Sequence, residues 1–254
     1  MTHRDARSDW QAFAADAIPT KANVRPLETV LADIMATFGE AGPPSILDAG
    51  CGVGVVSGFI YSKGFSVVGV DINQSAVVQA LRSTAALSQA SDASSGRRLD
   101  FFCEDILNPD CPAIQAGAFD GVVCQLVISI VGPSHDRAAL LANLYKALRP
   151  GGYLYLSASG VSDAINPLYA ELYRSDLEIT KEQHTYVSRD DHGRGLYATH
   201  HFTEEELNRL LQYAGFTDKR IHKQRETSSR RTSESAYFFY CCCRKPASTA
   251  ATSR

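Results

Sequence analysis

ILDAGCGVGVVS, residues 46–57, runs from an apolar pair through an acid into three alternate glycines and then into a helix-like stretch. Glycines at the end of a strand let backbone N–H groups approach a ligand closely, and the helix that follows turns its positive end toward the same point. Working outward, Leu27, Val30, Leu31, Ile34, Met35 and Phe38 recur at helical spacing after Pro26, with Gly39 as the stop. The segment after Val55 reads as a helix closed by Gly64, and FSVVGVD (65–71) as a second buried strand. Residues 74–89 look helical, RLDFFCED (98–105) and FDGVVCQLV (119–127) are strands, and YLYLSAS (153–159) is a fifth. Between the last two lies a helix from residue 134, for which Ser134 is the expected N-cap.

Continuous apolar strands alternating with helices predict an α/β chain, a parallel sheet covered by helices on both faces with its binding crevice at the carboxyl ends of the strands. Residues 160–201 then show poor periodicity and many Tyr and His residues. Regular structure resumes at TEEELNRLLQYAGF, where Thr203 and Glu206 form a capping-box pair and Gly215 ends the helix. FTDKRIHKQRE and SESAYFFYCCCRK follow as two strands joined by a short polar loop, hence antiparallel. The expected organisation is one domain over 1–246: a helical segment (1–44), a binding core (45–160), a cap (161–201) and a closing helix and strand pair (202–245). The segment around 88–96 reads as a surface loop and 247–254 as a disordered tail.

The 254 residues are 44% hydrophobic and 21% charged, with a formal net charge of −3, so no overall positive field draws nucleic acid or an anionic membrane. The first ten residues are too charged for a signal peptide and no stretch reaches the length of a membrane span. A soluble, cytoplasmic protein acting on a small molecule is expected, as a monomer or homodimer. Seven cysteines include the adjacent Cys241, Cys242 and Cys243. Neighbours on a strand point to opposite faces, so this run does not supply three ligands to one metal, and no metal site is expected.

Asp71 ends the second strand, where a carboxylate can accept from both hydroxyls of a ribose. Asp105 ends the third, placed to accept from an exocyclic amino group. Gly50, Gly52 and Gly54 are spaced G-x-G-x-G, and Val55 stands where a dinucleotide fold has its third glycine, which argues against a nicotinamide-dependent oxidoreductase. Together these features describe a nucleoside ligand.

From residue 45 to 157 the chain resembles the class I S-adenosylmethionine-dependent methyltransferases. LDAGCGVG is similar to their first motif, VVGVD to their second-strand acid, CEDI to their adenine-side motif and LRPGGYLYLS to their approach to the fifth strand. The resemblance implies a doubly wound, Rossmann-like seven-stranded sheet, mostly parallel with an antiparallel last strand, and a substrate cap inserted after the fifth strand. It implies S-adenosylmethionine as methyl donor. By position, Gly50, Cys51, Gly52 and Gly54 would line its methionine and ribose portion, with Asp48 organising the loop. Asp71 and Ile72 would hold the ribose, and Asp105 and Ile106 the adenine. Backbone near Cys124 and Gln125 would meet the methionine ammonium, and Arg25 its carboxylate.

A sulfonium methyl is already electrophilic, so such a protein mainly aims a nucleophile and excludes water; a base is needed only for a nucleophile whose proton has an unsuitable pKa. Four of the seven histidines, His184, His192, His200 and His201, fall in the cap segment beside Tyr169, Tyr173, Tyr186 and Tyr197. His200 and His201, next to the capped helix, are the first candidates for base or substrate orienter, followed by Tyr197 and His184. The expected reaction is methyl transfer to O, N or S of a small, aromatic or heteroaromatic acceptor, as in secondary metabolism. Carbon methylation of quinone-like substrates, a nicotinamide-dependent oxidoreductase and non-catalytic nucleoside binding are the alternatives.

Overall fold

The apolar runs become the strands β1 (Ser45–Ala49), β2 (Ser66–Asp71), β3 (Leu99–Cys103), β4 (Phe119–Gln125) and β5 (Leu148–Gly160) of the computed structural model, which describes residues 6–14, 23–90, 96–190, 192–227 and 234–248. β1 pairs in parallel with β2 and β4, β2 with β3, and β4 with β5. The small β6 (Thr185–Arg189) and β7 (Gly195–His200) form a separate two-stranded sheet, and β8 (Thr217–Thr227) and β9 (Ser235–Arg244) complete the large one. β9 is antiparallel to both β5 and β8, giving the order β3-β2-β1-β4-β5-β9-β8. The chain order reverses between β1 and β4, and a parallel sheet opens its ligand crevice at such a switch point.

The helices are α1 (Ala6–Gln11), α2 (Arg25–Phe38), α3 (Val55–Ser62), α4 (Gln74–Ala90), α5 (Ser134–Ala147), α6 (Pro167–Thr180) and α7 (Glu204–Tyr213). On one face of the sheet Leu140, Leu144, Leu207 and Leu211 pack against Leu47, Val122, Leu154 and Leu156. On the other, Leu27, Leu31, Ile34 and Ile60 cover Ile46, Val123 and Tyr155. Each such side chain contributes about 1.5–3 kcal/mol by leaving water. The alternation runs through the cysteine triplet: Cys241 and Cys243 join the first layer and Cys242 the second.

Three local expectations differ from what is observed. Pro133, extended at φ −65° and ψ 160°, takes the N-cap position of α5 and makes Ser134 the first helical residue. Thr203 does cap α7, its side chain accepting from the Glu206 N–H at 3.2 Å, but the Glu206 carboxylate turns to His200 instead of completing a capping box. The stretch expected to lack periodicity holds α6 and the β6–β7 hairpin. α6 is capped by Asn166 and buries Tyr169, Tyr173 and Asp176, a helical spacing that two tyrosines and an aspartate disguise. The surface loop near 91–95 and the tail from 249 lie outside the described residues. Among the described residues no helix is long and apolar enough to cross a membrane.

Candidate active site

At the carboxyl ends of β1, β2 and β4 the glycine turn folds back on its neighbour. Gly50 and Cys51 both donate to the Val70 carbonyl, at 2.7 and 3.0 Å, and Gly52 donates to Asp71 Oδ2 at 2.8 Å. Gly50 has φ +78°, and a Cβ there would lie 2.2 Å from Val127 Cγ2, so a side chain is excluded by both conformation and space. Gly54 is needed for a different contact. A Cβ on it would stand 2.9 Å from the Ala80 Cβ, so it lets α3 approach α4.

Asp48 is 2% exposed, and its Oδ2 accepts from the Ser57 hydroxyl at 2.5 Å. Burial, reinforced by the charge of Asp71, pushes its carboxyl up to about 7 against the Ser57 hydrogen bond. Burial raises Asp71 as well, opposed by N–H groups of Asn73, Gly52 and Ile72. Asp105 accepts from the Leu107 N–H at 2.9 Å and lies 3.5 Å from Arg7 Nε. After β4, Leu126 is left-handed at φ +62° and is held there by Ser157, whose carbonyl and hydroxyl accept its N–H at 3.1 and 3.0 Å. Strain of about 1–3 kcal/mol at such a residue is held by its surroundings and clusters at functional sites.

Asp48, Gly50, Cys51, Gly52, Asp71, Ile72, Asp105, Ile106 and Gln125 line one cavity of about 930 Å³. That size is at the upper end for ligand pockets, with room for more than one small molecule. Trp10, Tyr169, Tyr186, Tyr197, His201 and Phe238 line the same cavity. Among the described residues, Gln125 Oε1 and Trp10 Nε1 are buried without a hydrogen-bond partner, and both residues border the cavity. An acceptor and a donor held in this way fit a polar ligand, since each would otherwise cost about 1–3 kcal/mol. The glycine cradle, the strand-tip carboxylates and the Gln125 oxygen match the ribose, amino and ammonium groups of S-adenosylmethionine.

Not every expected residue reaches this cavity. Arg25 is exposed at the start of α2, and the Cys124 side chain is packed among Leu47 and Leu154, so only the backbone there is left to meet a ligand. His200 is 3% exposed and turned into a polar network: its Nδ1 meets Thr185 Oγ1 at 2.7 Å and its Nε2 the Glu206 carboxylate at 3.1 Å. Glu182 joins that network through Thr185 and pairs with the buried Arg137. His184 has φ +58°, stacks edge-on to Tyr173 at 5.5 Å and accepts the His201 N–H through its carbonyl at 2.9 Å. His192 is exposed. His201 and Tyr197 are the candidates that border the cavity.

Sequence reasoning missed the cover. Trp10 and Phe13 pack on Tyr197 with ring centroids 4.4 and 5.7 Å apart. Their carbonyls accept from Asn73 Nδ2 at 2.8 and 2.6 Å. Asn73 also caps α4, its Oδ1 accepting from the Ala76 N–H at 2.9 Å. The signal was Trp10 and Phe13 three residues apart in an otherwise charged segment.

The family model for a methyltransferase domain matches residues 23–220, and the chain belongs to the S-adenosylmethionine-dependent methyltransferases. The crystal structure of such an enzyme from Methanosarcina mazei is 31% identical, covers 81% of this chain and 93% of its own, and superposes with a TM-score of 0.71. The S-adenosyl-L-methionine-dependent Diels-Alderase iccD of Talaromyces variabilis is 28% identical over 68% of this chain and 53% of its own. A ubiquinone biosynthesis O-methyltransferase of Xanthomonas axonopodis pv. citri is 27% identical over 59% of this chain and 60% of its own. The chain thus spans little more than half the length of these two curated relatives. S-adenosylmethionine is the cosubstrate of the family, and the seven-stranded sheet with its antiparallel β9 is the family's fold.

Proposed function

We propose that the protein methylates O, N or S of a small aromatic or heteroaromatic acceptor. The observation that carries this is one continuous cavity lined both by nucleoside-type groups at the strand tips and by the aromatic side chains of Trp10, Tyr169, Tyr186, Tyr197 and Phe238. Bound S-adenosylmethionine supplies an electrophilic methyl group. Asp71 and Ile72 would hold its ribose, Asp105 and Ile106 its adenine, Gly50, Cys51 and Gly52 its amino-acid portion, and Gln125 its ammonium. The aromatic wall orients a flat acceptor by stacking and keeps water out. His201 and Tyr197 address the acceptor's polar substituents. Residues 161–201 act as a substrate cap within a single domain. The O-methyltransferase and Diels-Alderase relatives support a small organic substrate.

Incubating the protein with methyl-labelled S-adenosylmethionine and a panel of phenols, heteroaromatic amines and thiols should yield a labelled product, located by mass spectrometry. The reading fails if calorimetry detects neither S-adenosylmethionine nor S-adenosylhomocysteine. The Diels-Alderase relative favours a second reading, since that reaction transfers no methyl group: tight binding with no label moved to any acceptor would select it.

A further inference from the structure

The β6–β7 hairpin pairs Tyr186 with Thr199 and Ser188 with Tyr197. Side chains alternate along a strand, so these four residues share one face of it. All four border the cavity, whereas Thr185, Val187, Ala198 and His200, on the opposite face, do not. On the cavity face Ser188 Oγ and Thr199 Oγ1 are 2.9 Å apart, and both residues are 7% exposed. Among the described residues each hydroxyl has the other as its hydrogen-bond partner and no third group. Two hydroxyls carry two protons and their mutual bond uses one, so whichever donates, the other's proton is left to give. A buried donor needs an acceptor, and the space that this face borders is the cavity. Ser188 stands across from Tyr197 and Thr199 across from Tyr186, which sets the spare proton between two aromatic side chains. The two arginines that border the cavity already face carboxylates. Arg189 spans Asp176 at 2.6 and 2.8 Å, and Arg7 lies 3.5 Å from Asp105. An anionic group on the acceptor would lose its water there without gaining an arginine of its own.

We propose that Ser188 and Thr199 select the methyl acceptor, the pair giving its spare proton to a neutral hydrogen-bond-accepting atom of the substrate, a carbonyl oxygen or a pyridine-type nitrogen. The substrate class that follows is a flat, uncharged ring system carrying such an atom. A molecule with carbon at that place shuts water out and strands the hydroxyl proton, whereas a carbonyl or ring nitrogen accepts it. The pair decides which molecule is admitted and takes no part in moving the methyl group. The inference rests on the cavity being the transfer site.

Matched probes read the choice. 6-Hydroxyquinoline against 2-naphthol exchanges a ring nitrogen for C–H, and 4-hydroxyacetophenone against 4-isopropenylphenol exchanges C=O for C=CH2. With S-adenosylhomocysteine bound to the full chain, calorimetry should find the accepting member of at least one pair held about tenfold to 100-fold more tightly. The pair that discriminates tells nitrogen from carbonyl. In the double variant Ser188→Ala/Thr199→Val the preference should fall to within about twofold, while Thr199→Ser, which keeps both hydroxyls, retains it. Removing both partners of a hydrogen bond together costs a fold little, and the native comparison decides even where the double variant does not fold. Equal affinity within both pairs in the native chain overturns the proposal, as does a preference that survives in the double variant. Tighter binding of 4-hydroxybenzoate than of 4-hydroxyacetophenone overturns the neutral class. If no probe binds the S-adenosylhomocysteine complex, the acceptor class is overturned and the donor site stands. Failure of S-adenosylhomocysteine itself to bind the native chain would instead remove the reading of the cavity as the transfer site.

Discussion

Gly52 and Asp71 tie the tip of β1 to the tip of β2: the Gly52 N–H donates to Asp71 Oδ2 at 2.8 Å, while Asp71 Oδ1 accepts from Asn73 at 2.9 Å. One carboxylate therefore fixes both the glycine turn and the start of α4, and keeps lone pairs for a ribose. Replacing Asp71 with Asn should weaken S-adenosylhomocysteine binding by one to two orders of magnitude, about 1.4–2.8 kcal/mol, with a smaller change in unfolding free energy. Calorimetry and urea titration separate the two.

Gly50→Ala should abolish cofactor binding, because the new methyl group would meet Val127 Cγ2 at 2.2 Å in a left-handed turn. Destabilisation of about 1–3 kcal/mol is expected from strain and overpacking together. Adding Val127→Ala should recover part of the stability by removing the clash but not the conformational cost. Recovery of full stability in the double variant would show that φ at position 50 is not restrictive.

The Asp48 carboxyl, pushed up to about 7 from 3.8, binds its proton more tightly in the folded chain than in the unfolded one. Between about pH 4 and pH 7 the folded state therefore holds more protons, and stability conferred by this group falls as pH rises through that window. Asp48→Asn should flatten the fall, which amounts to about 4 kcal/mol at most. Thermal unfolding of both proteins from pH 5 to 8 checks it. A native Tm that is level across the range would contradict the raised value.

His200 and Glu182 belong to stability. Glu182→Gln leaves Arg137, 1% exposed, without its ionised partner and should cost about 3–5 kcal/mol. His200→Ala removes bonds to Thr185 and Glu206 and should cost about 1–3 kcal/mol, with kcat of the folded fraction little changed. A large fall in kcat at native stability would return His200 to the chemistry.

Asn73→Asp keeps the α4 cap but loses the two donors that hold Trp10 and Phe13. The chain has one tryptophan, so emission reports on α1 directly. A red shift and faster proteolysis near residue 14 are expected, with urea stability lowered by about 1–3 kcal/mol. Unchanged emission would mean that the Asn73 donors are not needed to hold the cover.

The central sheet and its strand-tip groups were legible because apolar runs, glycine spacing and terminal acids are local signals, and each survives in the order in which it was read. What escaped depends on partners far away in the chain. α6 buries Tyr169, Tyr173 and Asp176, and Asp176 tolerates burial only because Arg189 and the Val187 N–H satisfy it. No periodicity count anticipates that bond. His200 and His201 are adjacent, yet one enters a carboxylate network and the other borders the cavity. The alternation of β7 and its exit separates them, and the register of that hairpin is set by tertiary packing. Arg25 is assigned by the family resemblance alone, and nothing local shows that it stays in solvent.

The α1 segment leans on the hairpin through Trp10 and Tyr197 and on the core through Asn73, so on the proposed reading it would touch both the donor's and the acceptor's part of the chamber. Reshaping one compartment therefore disturbs the other. A residue exchanged at Tyr197 to admit a bulkier aromatic guest would also loosen the roof over the nucleoside, and retention of the spent donor would register an alteration made for its companion.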